Sequence, residues 1–459
     1  MGPRNLFAAL AALILLLVGG ALLADAPARV ASAYVAKTLC SEVFVAGRDE
    51  QAVRAVEFAG ISPVVDLVSA QIDSAKKEAR ASLFGLGRAR ARYREHLGCT
   101  IVSGGLDPLA TPPAIAAGAP WPEGFEETRG ALARVDYAAL DTALDAAMAD
   151  AAAANRAYVV IVDGKIVAER YADGFTADTP FLSWSMAKSV TATLVGAAAL
   201  RGYLDIGDPV PAPEWKDDAR AAITWDDLMR MQSGLAFDEG YGDPFSDVSK
   251  MLFAAHDAAA VAAAQKLVYK PGERWAYSSG TTNIIARALR AAVEANGADY
   301  HSFPVEAVFF PVGAASAVME VDSAGDFIGS SYVYMTARDW ARLGQLYLQD
   351  GVWNGVRILP EGWAAYVATP TPASNGEYGA QFWLNRDGEG RARYLPGVPD
   401  NVYYFAGHEG QYVFIVPDSN AVIVRTGMTR GDKAPIDIVA PTLAAIVDAL
   451  GARAADQGS

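Results

Sequence analysis

The first long feature of this chain is a stretch without polarity: Leu6 to Ala24 are apolar or small at every position. At 1.5 Å per residue a helix of that length reaches roughly 28 Å, about the thickness of a bilayer's hydrocarbon core. Beyond it the pattern shortens. Val43-Phe44-Val45 reads as a short strand, and period-two alternation in Glu78–Leu83 and in Arg88–Arg94 predicts two more, followed by Cys99–Val102. Residues 26–102 therefore form a small β-containing appendage. Residues 103–126 are rich in Gly, Pro and Ala with little periodicity, so they read as a linker. A main domain follows over 127–453, and 454–459 are a polar tail. Within the domain a helix is expected from Tyr137 to Asn155. Two strands, Ala157–Val162 and Ile166–Tyr171, meet at Asp163-Gly164, a strong hairpin signal. Near the other end, Tyr412–Val416 and Ala421–Thr426 flank Pro417-Asp418-Ser419-Asn420, a second hairpin, and a helix is placed over Pro441–Leu450 with proline in its first turn. Between these ends the chain is mostly helical. The fold class is α/β in the α+β sense: an antiparallel sheet made from both ends of the domain, flanked by helices, with a helical region inserted.

Composition sharpens this. Of 459 residues 52% are apolar and 20% charged, enough to fill a large core, and the formal net charge of −15 leaves no basic face for nucleic acid. The apolar run and Arg4 before it suit an anchor with its amino terminus inside and the bulk outside. A removed signal is the alternative, disfavoured by Pro27 after the candidate cleavage zone at Ala24–Ala26. Either way the protein is expected to be exported: periplasmic and held at the membrane by residues 1–25, or secreted if they are cut. Cys40 and Cys99 bracket the appendage, and in an exported chain they can close one disulfide or remain two buried thiols. Arg88, Arg90, Arg92 and Arg94 share one strand face, read as a solvated face. No His-rich set offers a metal site, Gly85-Leu86-Gly87 does not complete a dinucleotide turn, and nothing in the pattern asks for a cofactor.

The chemistry gathers in three places. Ser185-Met186-Ala187-Lys188 opens a run, Val190–Leu200, that is apolar or small nearly all round and must be a buried helix. A serine and a lysine three apart share one helix face, and the first turn's free N–H groups favour a developing negative charge. A lysine in a dry setting can lose its charge and take the seryl proton. The spacing alone is cheap: Ser74-Ala75-Lys76-Lys77 also satisfies it, in a polar stretch without a buried helix. Downstream, Tyr277-Ser278-Ser279-Gly280 precedes a helix expected over Ile284–Val293 and can present a phenol to a cleft. Finally, Gly407-His408-Glu409-Gly410-Gln411 leads into the strand from Tyr412, where glycines let a substrate lie along a strand edge. Read singly, Tyr277 and His408 are also compatible with ordinary packing roles. No Gly-x-Ser-x-Gly elbow occurs, which removes the α/β-hydrolase reading.

In this order and context, the three elements resemble the class C β-lactamase-like superfamily: β-lactamases, D-alanyl-D-alanine carboxypeptidases, related esterases and 6-aminohexanoate-dimer hydrolases. The phrases Gly202–Val210, Ile223–Leu228 and Gln232-Ser233-Gly234-Leu235 are similar to that family too, and the resemblance spans about residues 120–450. It implies a β-lactamase/transpeptidase-like fold, with Ser185 as acylated nucleophile, Lys188 as its base partner and Tyr277 as proton shuttle. The implied oxyanion hole is the backbone N–H of Ser185 and that of Gln411. His408, Gly410, Ser279 and Tyr241 are the implied substrate contacts. Where many relatives carry Lys-Thr-Gly this chain has His408-Glu409-Gly410, and Ser279 stands where Asn is usual. A neutral imidazole grips a carboxylate less well than an ammonium, so amide or ester hydrolysis of a small molecule is expected ahead of β-lactam or D-Ala peptide turnover. A non-catalytic sensor on the same fold is the other alternative. The loop Asp238-Glu239-Gly240-Tyr241 is a candidate for binding a substrate ammonium, or else an acidic surface loop.

Overall fold

The computed structural model describes residues 25–115, 132–386 and 395–451. The apolar run at 6–24 and the tail at 454–459 lie outside them. Among the described residues no helix is long and apolar enough to cross a membrane.

The appendage begins with helix α1, residues 25–44, followed by α2 (Glu50–Val56). The strand expected at Val43–Val45 is instead the end of α1. Its buried positions, among them Ala28, Ser32, Val35, Ala36, Leu39 and Cys40, recur at helical spacing. That period outweighs a three-residue β-branched cluster. Four antiparallel strands then pair in sequence: β1 (Val68–Asp73), β2 (Glu78–Leu83), β3 (Leu86–Arg94) and β4 (Gly98–Ile101). Arg88, Arg90 and Arg92 do line one exposed face of β3, with Arg90 and Arg92 beside Glu78. Cys40 and Cys99 form a disulfide that ties α1 to β4 across 59 positions.

The main domain is built on a six-stranded antiparallel sheet whose strands come from both ends, as the pattern predicts. In spatial order they are β10, β11, β12, β13, β5, β6. The first pair in the chain is β5 (Asn155–Val162) and β6 (Lys165–Tyr171), turning at Asp163-Gly164. The late strands are β10 (Trp383–Leu384), β11 (Tyr403–Gly407), β12 (Gln411–Val416) and β13 (Ala421–Gly427). β12 and β13 are buried at every position because both sheet faces are covered. Val413, Ile415, Val422 and Val424 face one core, and Phe414, Val416 and Ile423 face the other. The second face carries α3 (Tyr137–Ala149) and the C-terminal helix. α3 stops six residues before the expected Asn155, which opens β5 instead. The last helix runs Pro435–Leu450, so Pro435 and not Pro441 occupies its first turn. The apolar stripe Ile436, Val439, Leu443, Ile446 and Leu450 carries the helix through Pro441, whose ring lies on the exposed side.

Between the sheet's halves the chain inserts a three-stranded sheet in the order β7 (Pro180–Leu182), β9 (Val333–Thr336), β8 (Val318–Met319), together with helices. The most buried is α4 (Met186–Leu200), covered over Met186–Ala198. α5 spans Asp247–Phe253, α6 Ala258–Ala263, α7 Ser279–Ala295 and α8 Ala337–Leu348.

The appendage is docked, and the contact is polar at its centre. Glu320 is fully buried and accepts from Lys37 Nζ, from Ser41 Oγ at 2.8 Å and from the Cys99 backbone N–H at 2.6 Å. Arg430 reaches the carbonyls of Val56, Glu57 and Ala59 at the end of α2. The described part of the expected linker lies along the domain: Asp107 N–H donates to Ser323 O at 3.2 Å, and Leu109 packs on the core.

Candidate active site

Ser185 sits at the mouth of α4, where backbone geometry isolates its hydroxyl. Trp184 before it has φ 43°, a conformation that costs an L-residue about 1–2 kcal/mol. The first turn closes tightly, with Met186 N–H on Ser183 O and Ala187 N–H on Trp184 O. Ser185 is the N-cap residue yet makes no side-chain cap bond, so Oγ is left for another partner. That partner is Lys188, one turn along, whose Nζ lies 3.0 Å from Ser185 Oγ.

Lys188 is buried inside the helix packing, and its Nζ has two further neighbours, Ser279 Oγ at 3.0 Å and Ser330 O at 3.1 Å. Burial lowers its pKa to about 8, against the pull of the Glu239 carboxylate, which favours the charged form. As a neutral amine it can donate its two hydrogens to Ser279 and Ser330 and turn its lone pair to the Ser185 hydroxyl.

Tyr277 comes from the segment before α7, which is capped by Ser278 and begins at Ser279, five residues earlier than the expected helix start. Its ring lies 4.8 Å from Lys188 Nζ and packs against Trp383 of β10 at 5.6 Å. Burial raises its pKa well above the ordinary value, and a hydrogen bond with the Ser185 side chain draws it partly back. The phenol is therefore protonated at neutral pH. Ser185 and Tyr277, 92 positions apart, line one cavity, and Lys188 is buried behind it against the Ser185 hydroxyl.

Ser279 and Glu239 extend the network. Glu239 accepts from the Ser279 backbone N–H at 2.8 Å, from Ser279 Oγ at 2.5 Å and from the Tyr241 hydroxyl at 2.9 Å. Tyr241 OH also lies 3.1 Å from Ser279 Oγ. The loop named for its acidity thus turns its carboxylate inward, toward the hydroxyl of Ser279 that Lys188 also contacts, which sequence spacing could not show.

The cavity holds about 230 Å³ and is lined by Ser185, Tyr241, Tyr277, Trp383, Gly407 and His408, among others. A larger cavity of about 660 Å³ beside Arg287 and Arg290 contains none of these residues. On the catalytic cavity's strand side the structure changes two assignments. Gln411 does not line it. Gln411 pairs with Gly407 across the β11–β12 ladder, and its side-chain amide is held by Gly427 O and His408 O. Gly410 is also turned away: with φ 86°, a Cβ there would meet the Arg425 guanidinium at 2.3 Å. Glu409 ion-pairs with Arg430 behind the site. What reaches the cavity is the end of β11. Asn385 N–H donates to Val402 O on the outer edge, so by two-residue alternation the backbone groups of Ala406 face that edge as well; past the end of β11 the His408 N–H follows them, while its carbonyl is held by the Gln411 amide. β10 pairs with β11 only at Tyr403 and Tyr404, leaving the edge beyond them to the site. Gly407 permits the approach, since a Cβ would lie 2.2 Å from Ser183 O. His408 stacks on Tyr241 at 5.9 Å and meets Trp184 edge-on at 5.6 Å; its pKa is lowered by burial, so the imidazole is neutral at pH 7.

Comparison with known proteins agrees with this geometry. The family model "Beta-lactamase" matches residues 140–447. The chain is 26% identical over 302 residues to a 6-aminohexanoate-dimer hydrolase of Paenarthrobacter ureafaciens, covering 59% of this chain and 71% of that protein. Among solved structures, it is similar to a putative 6-aminohexanoate-dimer hydrolase from Bacillus anthracis, with TM-score 0.54, 21% identity and coverage of 71% and 87%. It is also similar to EstCE1, a hydrolase with promiscuous acyltransferase activity, with TM-score 0.55, 14% identity and coverage of 69% and 98%. At these identities the structures speak for the fold.

Proposed function

Since this chain belongs to the beta-lactamase family of hydrolases, we propose that it cleaves amide or ester bonds of small molecules through an acyl-enzyme on Ser185. The observation that carries the proposal is the desolvated Lys188 amine, held between Ser279, Ser330 and the Ser185 hydroxyl. Lys188 takes the seryl proton as Oγ attacks the carbonyl carbon. The proton displaced from Ser185 thus resides on Lys188, while Tyr277, a phenol kept protonated by burial, donates its own to the departing amine or alcohol and is reprotonated from Lys188. Water then attacks the ester by the reverse route. The second oxyanion donor in this reading is the His408 backbone N–H rather than that of Gln411, paired with the N–H of Ser185. Such a donor is worth about 3–4 kcal/mol in the transition state.

The substrate side favours an uncharged or cationic amide or ester over a β-lactam or a D-Ala peptide. Among the described residues that line the cavity none is Lys or Arg, and His408 is neutral, so there no fixed cation meets a substrate carboxylate. The Cys40–Cys99 disulfide and the apolar run at 6–24 support an exported protein tethered at its amino end.

The test is a fluorophosphonate probe and p-nitrophenyl butyrate, run beside nitrocefin. Wild type should be labelled and turn over the ester faster than nitrocefin. Ser185→Ala should lose both signals, and Tyr277→Phe should slow turnover by roughly 10²–10⁴. Unchanged labelling of Ser185→Ala would end the assignment, and labelling that never turns over would identify a sensor.

A further inference from the structure

A second cavity, of about 510 Å³, adjoins the catalytic one and is walled on one side by the appendage. α1 contributes Val30 and Ala31, and the segment after α2 contributes Ile61 and Val64. The opposite wall includes Trp184, which directly precedes the nucleophile. Tyr241 and His408 line both cavities, so their stacked rings stand at the join.

The lining is chemically one-sided. Among the described residues it contains no Asp, Glu, Lys or Arg, and its polar side-chain groups are those of Ser62, Ser249, His408, the Trp184 indole and two tyrosine hydroxyls. An open apolar hollow of this size is costly to leave in water unless something fills it. Its sharing of the Tyr241 and His408 rings with the cavity that holds Ser185 points to an occupant that is part of the same molecule the nucleophile attacks. The charge-free wall excludes an arm ending in an ammonium or a carboxylate. The appendage wall also lies outside residues 140–447, so this feature is supplied by the part of the chain the family model does not cover.

We propose that the cavity between the appendage and the catalytic domain binds an uncharged, unbranched apolar arm of the substrate, so that the preferred substrates are medium-chain amides or esters. This rests on the hydrolase reading and narrows it. The full-length protein is assayed with p-nitrophenyl esters from acetate to decanoate and, for the leaving side, with 1-alkyl acetates of matching length. In at least one series kcat/KM should climb by about two- to fourfold per methylene over the first several carbons. Ala31→Trp fills the hollow and Val64→Glu places a charge in its wall. Each should cut the decanoate-to-acetate ratio of kcat/KM, or its alkyl counterpart, at least about tenfold, with the thermal midpoint recording that the fold survives. Profiles flat in both series, or ratios unchanged in both variants, overturn the inference while leaving Ser185 in place. If no ester is cleaved the hydrolase reading fails instead, and calorimetric binding of the uncharged 1-decanol decides the cavity separately: binding that Ala31→Trp abolishes supports it, and no binding to wild type overturns it.

Discussion

Replacing Glu239 by Gln isolates the electrostatics of Lys188, the base of the proposed mechanism. Glu239 Oε1 and Lys188 Nζ meet on Ser279 Oγ at 2.5 and 3.0 Å, so the two charges lie within about 5.5 Å of each other. Their attraction is about 3 kcal/mol at an effective dielectric of 20 and about 0.8 kcal/mol in water. Glu239 is half-buried, which places the effect between these limits, at about one pKa unit. The sign follows from the base's role. Lys188 must be neutral to accept the seryl proton, so kcat/KM rises with pH through its pKa of about 8. At pH 7 roughly a tenth of the wild-type protein carries the neutral amine. Removing the Glu239 charge disfavours the ammonium, so the rising limb moves down by about one unit. The fraction of plateau activity reached at pH 7 should grow from about a tenth to about a half. The assay is kcat/KM for p-nitrophenyl butyrate from pH 5.5 to 9.5, with Glu239→Asp as the variant that keeps the charge and should hold the limb near wild type. A limb that stays put or moves upward in Glu239→Gln would refute the assignment of Lys188 as the titrating base.

Two further outcomes concern the docked appendage. Glu320→Ala strands the buried Lys37 ammonium and the Cys99 N–H, and should cost about 3–5 kcal/mol in denaturant unfolding; an unmoved midpoint would show that the contact is not formed. Replacing Cys40 and Cys99 together by Ser opens a 59-residue span, worth about 4 kcal/mol in the chain-entropy account. Non-reducing mass analysis should find no free thiol in the wild type, and a midpoint unchanged in the double variant would remove the disulfide's stabilising role.

Much of the domain was legible in one dimension because its signals are local. Hairpins at Asp163-Gly164 and at Pro417–Asn420 follow from turn chemistry between apolar runs, and a helix apolar on nearly all sides after Ser185 has to be buried. Local signals also misled where two periods competed. Val43–Val45 reads as a strand in isolation but continues the helical stripe from Ala28 to Cys40, and Pro441 suits a helix start no less than Pro435, which the structure uses.

The sequence alone, then, determined the two hairpins and the buried helix, and singled out Ser185, Lys188 and Tyr277 as candidates, since each motif is written in residues a few positions apart. The tertiary structure decided which groups face the cavity. Pairing Gly407 with Gln411 turns the latter inward and sets His408 on the open edge, and folding the 238–241 loop back brings Glu239 to within two hydrogen bonds of Lys188. Docking α1 beside Trp184 makes a wall for the site out of residues more than a hundred positions away. Such choices depend on strand register and on contacts between distant segments, and neither leaves a mark in the spacing of neighbouring residues.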